Sequence, residues 1–225
     1  MARPFVYLNM AMTADGKITS SRREYPRFTS RVDRRNMDRL RAEADALIVG
    51  AGTLRADDPP LQIRDTEMQE HRRDLGKPPG LLTVVVTASA RLDPDGGFFQ
   101  GDDHERIVAT VEDAPSERLE ALAARAEIWK LGRGRVDPTT LLERLSERGV
   151  QRLLCEGGSE LNGELLERDL VDELHITIAP SLLGGSDAPT PIGGRGLAMK
   201  HQRRLELVEL RREADELFCR YAVVR

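Results

Sequence analysis

Ala46-Leu47-Ile48-Val49-Gly50-Ala51-Gly52-Thr53-Leu54-Arg55-Ala56-Asp57-Asp58-Pro59-Pro60-Leu61 opens with four apolar residues in a row and breaks at glycine. A run that short, continuous and β-branched in part, predicts a strand covered on both faces, as in a parallel sheet. Gly50-Ala51-Gly52 supplies only G-x-G, without the third glycine of the dinucleotide fingerprint, and is a weak signal for that site. Thr53 can cap a short helix or meet a phosphate or ribose hydroxyl. Asp57-Asp58 before Pro59-Pro60 sets two carboxylates on a stiff turn, because the residue before proline is driven out of helical conformation.

Outward from this stretch, strands alternate with helical periods. Strands are predicted at 5–10, 46–49, 81–86, 106–110, 127–131, 152–155 and 173–179, and helices at 33–44, 116–125, 138–148 and 159–167. Asp33 is taken as the N-cap of its helix, and Gly149 as the stop after the 138–148 helix. The tail, 205–211 and 217–224, reads as two antiparallel strands. Alternation of this kind predicts helices on both faces of a mostly parallel sheet, with the last hairpin making it mixed. The Gly/Pro/Asp-rich stretches at 57–60, 76–80, 93–103 and 184–196 are expected to be loops inside one domain spanning 1–225.

Composition narrows the function classes. The 225 residues are 40% hydrophobic and 32% charged, enough to form a core and to argue against disorder. A formal net charge of −4 gives no basic footprint for nucleic acid. No apolar run reaches the about 18–20 residues of a membrane span, and the N-terminus lacks a secretory pattern. Cys155 and Cys219 make neither a disulfide framework nor a metal-ligand spacing, and read as small buried hydrophobes in a reduced, cytoplasmic setting. His71, His104, His175 and His201 are scattered, so no metal site is expected.

Two further segments carry chemistry. Glu156-Gly157-Gly158-Ser159-Glu160-Leu161-Asn162-Gly163 follows the Leu153–Cys155 strand and presents backbone N–H groups at a positive helix end, where phosphates bind. The plain alternative is a tight strand-to-helix turn with Ser159 as N-cap. Glu156 sits at the carboxyl end of a strand, where open sheets hold ligands. Asn9-Met10-Ala11-Met12-Thr13-Ala14-Asp15-Gly16-Lys17-Ile18 ends a strand and turns at Asp15-Gly16, with Asp15 serving the turn geometry.

Taken in order, these segments resemble the pyrimidine reductases of riboflavin biosynthesis, both stand-alone and as the reductase half of the bifunctional deaminase-reductase. The matching stretches are Met12–Lys17, Leu40–Ala46, Val49–Leu61, Glu156–Leu161, Leu170–Leu174 and Ile178–Gly185. The resemblance implies a dihydrofolate-reductase-like three-layer α/β/α fold with a mixed, mostly parallel central sheet, a homodimer, and NADPH. It implies reduction of the ribosylamino side chain of a (di)aminopyrimidine 5′-phosphate to the ribitylamino form. By resemblance Ala11, Thr53, Asp57, Thr87, Ala88, Ser89, Gly157, Gly158, Ser159, Glu160, Leu161 and Asn162 contact the cofactor. Asp57 is the catalytic orienting or proton-handling group, and Arg41, Leu61, Arg64 and Glu156 contact substrate, with both arginines as clamps for its phosphate.

Two departures from the family pattern stand out. Thr87-Ala88-Ser89 replaces the usual Asp-Ser pair near the adenosine 2′-phosphate, leaving Ser89 and Arg91 to receive that group. Tyr25 and Arg27, in the basic stretch 20–27, are not assigned contacts. No zinc-deaminase signature precedes the domain, so deamination would need another protein. Two alternatives stay open: a reductase of another small substrate such as a pterin, and a nucleotide-binding module without catalysis.

Overall fold

A computed structural model of the protein describes residues 3–24, 28–59, 61–101 and 104–225. Tyr25 and Arg27 lie outside the described residues. Backbone contacts divide the chain into two compact units, one principally Asp38–Leu154 and the other Phe5–Met37 with Cys155–Arg225. Helix α1 (Arg31–Glu43) and strand β6 (Arg152–Cys155) run through the boundary in the sequence.

In the first unit the strands β2 (Ala46–Gly50), β3 (Leu82–Val86), β4 (Arg106–Thr110) and β5 (Glu127–Lys130) take the order β5-β4-β3-β2-β6. The β2–β3, β3–β4 and β4–β5 pairs are parallel. Ile48, Val49, Val84, Val85, Ile107 and Val108 are all fully buried, which is why the strands read as continuous apolar runs and not as alternation. Each such side chain contributes roughly 1.5–3 kcal/mol of transfer free energy. Around them run α2 (Ala51–Asp57), α3 (Thr66–Asp74), α4 (Ser116–Ala123) and α5 (Pro138–Glu147). Asp137 caps α5 by accepting from the Thr139 and Thr140 amides, with Pro138 at the first helical position. Trp129 of β5 is buried with the Arg144 guanidinium 4.4 Å from its ring centre, which ties α5 to the sheet.

Helices α2 and α3 are left unassigned by the sequence patterning: α2 starts at Ala51, ahead of Thr53, which is therefore not its cap, and α3 is the longer of the two. The one buried side chain of α3 is Arg72, so that helix carries no apolar stripe to detect. Arg72 is 1% exposed and donates to the carbonyls of Ala42, Ala44, Pro78 and Gly80, holding the end of α1.

In the second unit β1 (Phe5–Thr13), β7 (Glu173–Ala179), β8 (Arg204–Glu213) and β9 (Glu216–Val224) take the order β1-β7-β9-β8, with α6 (Ser159–Glu167) alongside. β1 and β7 are parallel, while β7–β9 and β9–β8 are antiparallel. The fold class is therefore the mixed, mostly parallel one expected, with its C-terminal antiparallel hairpin in place. The Asp15 carboxylate accepts from the Thr13 hydroxyl and the Gly184 amide, which lowers its pKa to about 2.

One cap needs correcting. Asp33 lies inside the first turn of α1, and the cap is Ser30, whose Oγ accepts from the Val32 and Asp33 amides. A serine hydroxyl three residues upstream outcompetes the aspartate because it reaches both first-turn amides.

Candidate active site

In the first unit, Gly50 of β2 pairs with Val86 of β3, so the carboxyl ends of both strands lie side by side. Open parallel sheets present ligands at such an edge. From Gly50 the chain enters α2 at once, with no side chain capping the helix start. Thr53 is its third residue and half-buried. Asp57 closes the helix, also half-buried, and burial pushes its carboxyl upward from the ordinary value. Asp58 leaves the helix in the left-handed region at φ 39°. Its carboxylate accepts from the Gly97 amide at 2.7 Å, so this second acid secures the turn.

From Val86 the chain forms the turn 87–90. Thr87 is buried and its hydroxyl accepts from the Ala90 amide at 3.1 Å; Ala88 is exposed and Ser89 half-buried. Two arginines that the sequence patterning did not single out reach this turn. Arg118 of α4 donates to the Ser89 carbonyl at 2.9 Å, and Arg55 of α2 to the Arg91 carbonyl at 3.3 Å. Neither has a local sequence signal, since chain folding alone brings positions 55, 91 and 118 together.

The expected substrate contacts divide by exposure. Arg41 is 3% exposed and donates to the Gln62 carbonyl at 2.7 Å. Asp38, also buried, accepts from the Arg64 and Asp65 amides at 3.2 and 3.0 Å. Together they fix the 62–65 backbone. Leu61 is buried, and the Arg64 side chain is exposed.

In the second unit, Glu156 follows β6 half-buried, and Gly157 takes φ +89°. A Cβ at Gly157 would sit 3.0 Å from Met10 Sδ, so a side chain there would be strained by the positive φ and would crowd Met10 of β1. The helix start is capped by Gly158 with no side-chain hydrogen bond, and Ser159 is the first helical residue, not the cap. Leu161 is buried in α6, and Ala11 lies in β1 opposite Thr177 of β7.

Asn162 is fully buried and committed. Its Nδ2 donates to the Pro191 carbonyl at 2.8 Å, and its Oδ1 accepts from the Cys155 thiol at 3.3 Å. Burial pushes that thiol up to about 12, so it is a packing group at neutral pH. Glu160 accepts from the Gly194 amide at 3.3 Å, and the Ser159 carbonyl from the Gly193 amide at 2.9 Å. These α6 groups therefore strap the 189–196 segment along the helix.

One further acid belongs with this group. The Asp33 carboxyl is raised, first by burial, then by the Glu216 and Glu156 charges, while hydrogen bonds with Thr177 and Thr29 pull the other way. Ser30-Arg31-Val32-Asp33 carries a helix-start pattern, which is why the residue reads as structural from sequence.

Comparison with known proteins matches this architecture. Residues 4–218 match the model of the RibD C-terminal domain. The chain is 40% identical over 207 residues to a 2,5-diamino-6-ribosylamino-4(3H)-pyrimidinone 5′-phosphate reductase of Archaeoglobus fulgidus, covering 92% of this chain and 93% of that one. A protein of the same name from Methanothermobacter thermautotrophicus is 39% identical, covering 98% and 99%. The fold superimposes with TM-score 0.85 on a pyrimidine reductase-like protein from Corynebacterium diphtheriae, 23% identical over 99% of this chain and 92% of that one. On these matches, which run nearly end to end, the chain belongs to the RibD C-terminal domain family.

Proposed function

We propose that the protein reduces the ribosylamino side chain of 2,5-diamino-6-ribosylamino-4(3H)-pyrimidinone 5′-phosphate, or its deaminated counterpart, to the ribitylamino form with NADPH, in riboflavin biosynthesis. The observation that carries this is Asp57, a carboxyl raised by burial at the end of a helix that starts from the carboxyl end of β2. A carboxyl so placed, and raised by burial, is suited to handling a proton while the sugar ring opens. In the second unit Asp33, with the Glu156 charge acting on it, is suited to polar contacts with the substrate; in the first, Arg64 is an exposed cation suited to a phosphate. Arg41 and Asp38 act by holding the 62–65 backbone that presents Arg64.

The residues fit a nicotinamide dinucleotide. The α6 start lacks a side-chain cap, so its amides can serve a diphosphate, and Gly157 before it holds a positive φ with Met10 close by. The cofactor, when bound, supplies the hydride that the sugar C1′ accepts. Ser89, Arg91, Arg55 and Arg118 gather at one turn, which favours a 2′-phosphate and hence NADPH over NADH.

The homodimer is supported by β8, the outermost strand in its unit's order. Leu205, Leu207, Val208 and Leu210 are 40–57% exposed on it, an apolar surface that a second copy would cover. Light scattering of Leu207→Glu tests this, with a monomer expected. We take residues 1–225 as one domain because α1 and β6 pass through the unit boundary, which a single calorimetric transition would support. A cytoplasmic setting suits the two buried free cysteines.

The deciding experiment follows cofactor oxidation with the diamino and deaminated intermediates side by side, in wild type and Asp57→Asn. Turnover of either by wild type and its loss in the variant support the proposal. NADPH binding with no turnover of either overturns it in favour of a non-catalytic module.

A further inference from the structure

Glu216 stands at the first position of β9 and is 4% exposed, a carboxylate withdrawn from water and absent from the chemistry so far. Burial of an acid at a strand end calls for hydrogen-bond partners. Its partners are both atoms of one residue: Oε1 accepts from the Ser30 amide at 2.8 Å, and Oε2 accepts from the Ser30 hydroxyl. That hydroxyl in turn accepts from the Val32 amide at 3.0 Å and the Asp33 amide at 3.2 Å. The carboxylate therefore orients the cap of α1, and the cap holds the backbone of Asp33.

Register explains how the strand end meets the helix start. Thr177 of β7 pairs with Phe218 of β9, and Glu216, two residues earlier, points to the same face. Thr177 is buried there and hydrogen-bonds with the Asp33 side chain. One sheet face thus contacts Asp33 through Thr177 and through the Glu216–Ser30 bridge.

We infer that Glu216 is a positioning residue: through Ser30 it fixes the first turn of α1 and the placement of the Asp33 carboxyl. This rests on the proposal that Asp33 serves the substrate. The groups facing Asp33 are Glu216 from β9, Glu156 from the segment after β6, Thr177 from β7 and Thr29 ahead of α1. Two of the four are carboxylates. Both push the Asp33 carboxyl upward, so removing the charge at 216 must let it fall.

The test combines kinetics with carbon-13 carboxyl titration of Asp33 in the intact protein. Glu216→Gln keeps the size and one acceptor but loses the charge. The Asp33 titration, and whichever limb of the kcat/KM profile Asp33→Asn abolishes, should move to lower pH by on the order of half a unit to one unit. Glu216→Ala should also lower kcat about tenfold, with cofactor affinity unchanged and the melting temperature showing that the chain folds.

An unmoved Asp33 titration in both variants, with only a drop in melting temperature, overturns the positioning role. Wild-type turnover in Asp33→Asn defeats the substrate role of Asp33 instead. The titration would still report on the Glu216 tie in that case.

Discussion

After β2 and after β6 the chain makes the same move, from strand through glycine into helix, yet the two helices differ in what the glycines inside them allow. A Cβ on Gly52 would meet only Arg55 Nη2, at 4.0 Å. A Cβ on Gly163 of α6 would lie 2.3 Å from the Gly193 carbonyl oxygen. The first turn is open and ends in a half-buried acid. The second is closed by the Asn162 and Glu160 side chains and the Ser159 carbonyl, all holding the 189–196 segment. Open turns leave side chains for ligands, whereas closed turns leave backbone amides. The contrast matches a proton-handling role for Asp57 and an anion-holding role for the start of α6.

The sharpest way to break that contrast is Asp57→Asn, expected to lower kcat on the order of 100-fold or more with little change in cofactor affinity. Because burial raises the Asp57 carboxyl, the limb it sets in the kcat/KM profile should lie above that of a free aspartate and vanish in the variant. A profile unchanged by the substitution would remove Asp57 from the chemistry.

Gly163→Ala should come next. Its methyl group meets backbone, not a flexible side chain, so overpacking should cost about 1–3 kcal/mol and loosen the 189–196 segment. Thermal unfolding and amide exchange at Gly193 and Gly194 would measure it. An unaltered melting temperature would mean that the closed turn gives way easily.

Arg118→Ala tests the open side. It should raise KM for NADPH by about tenfold, the ~1.4 kcal/mol of one charge-assisted contact, and leave NADH kinetics as they were. Equal losses with both cofactors would place Arg118 in holding the Ser89 carbonyl only. The smallest effect is expected for Gly52→Ala, a gain of about 0.5 kcal/mol from helix propensity at an uncrowded site. A rise in cofactor KM alongside that gain would show that a ligand comes close to Gly52.

Much of the fold is legible in the residues themselves. Ala46–Gly50, Leu82–Val86 and Arg152–Cys155 are apolar over most of their length because both sheet faces are covered, and glycines mark the ends of the first and the last. Helix α3 is not legible, because a helix that buries only an arginine leaves no periodic pattern. Among the candidate residues of each unit, Thr53 and Asp57 in the first and Glu156–Asn162 in the second follow strand ends and can be found by that position. Asp33 reads as a cap residue, and Arg118 as one more surface arginine on α4.

The sequence alone determined the alternation of elements, the mixed sheet with its last hairpin, and the segments that match the RibD C-terminal domain, since periodicity and turn chemistry are local properties. Tertiary structure decided which polar groups are committed and which are left for ligands. Ser30, not Asp33, caps α1; Asn162 binds the 189–196 segment; Arg55 and Arg118 converge on the 87–91 turn; and Glu216 reaches back to Ser30. Each of these depends on burial and on partners distant in the chain, and both exist only once the strands have paired.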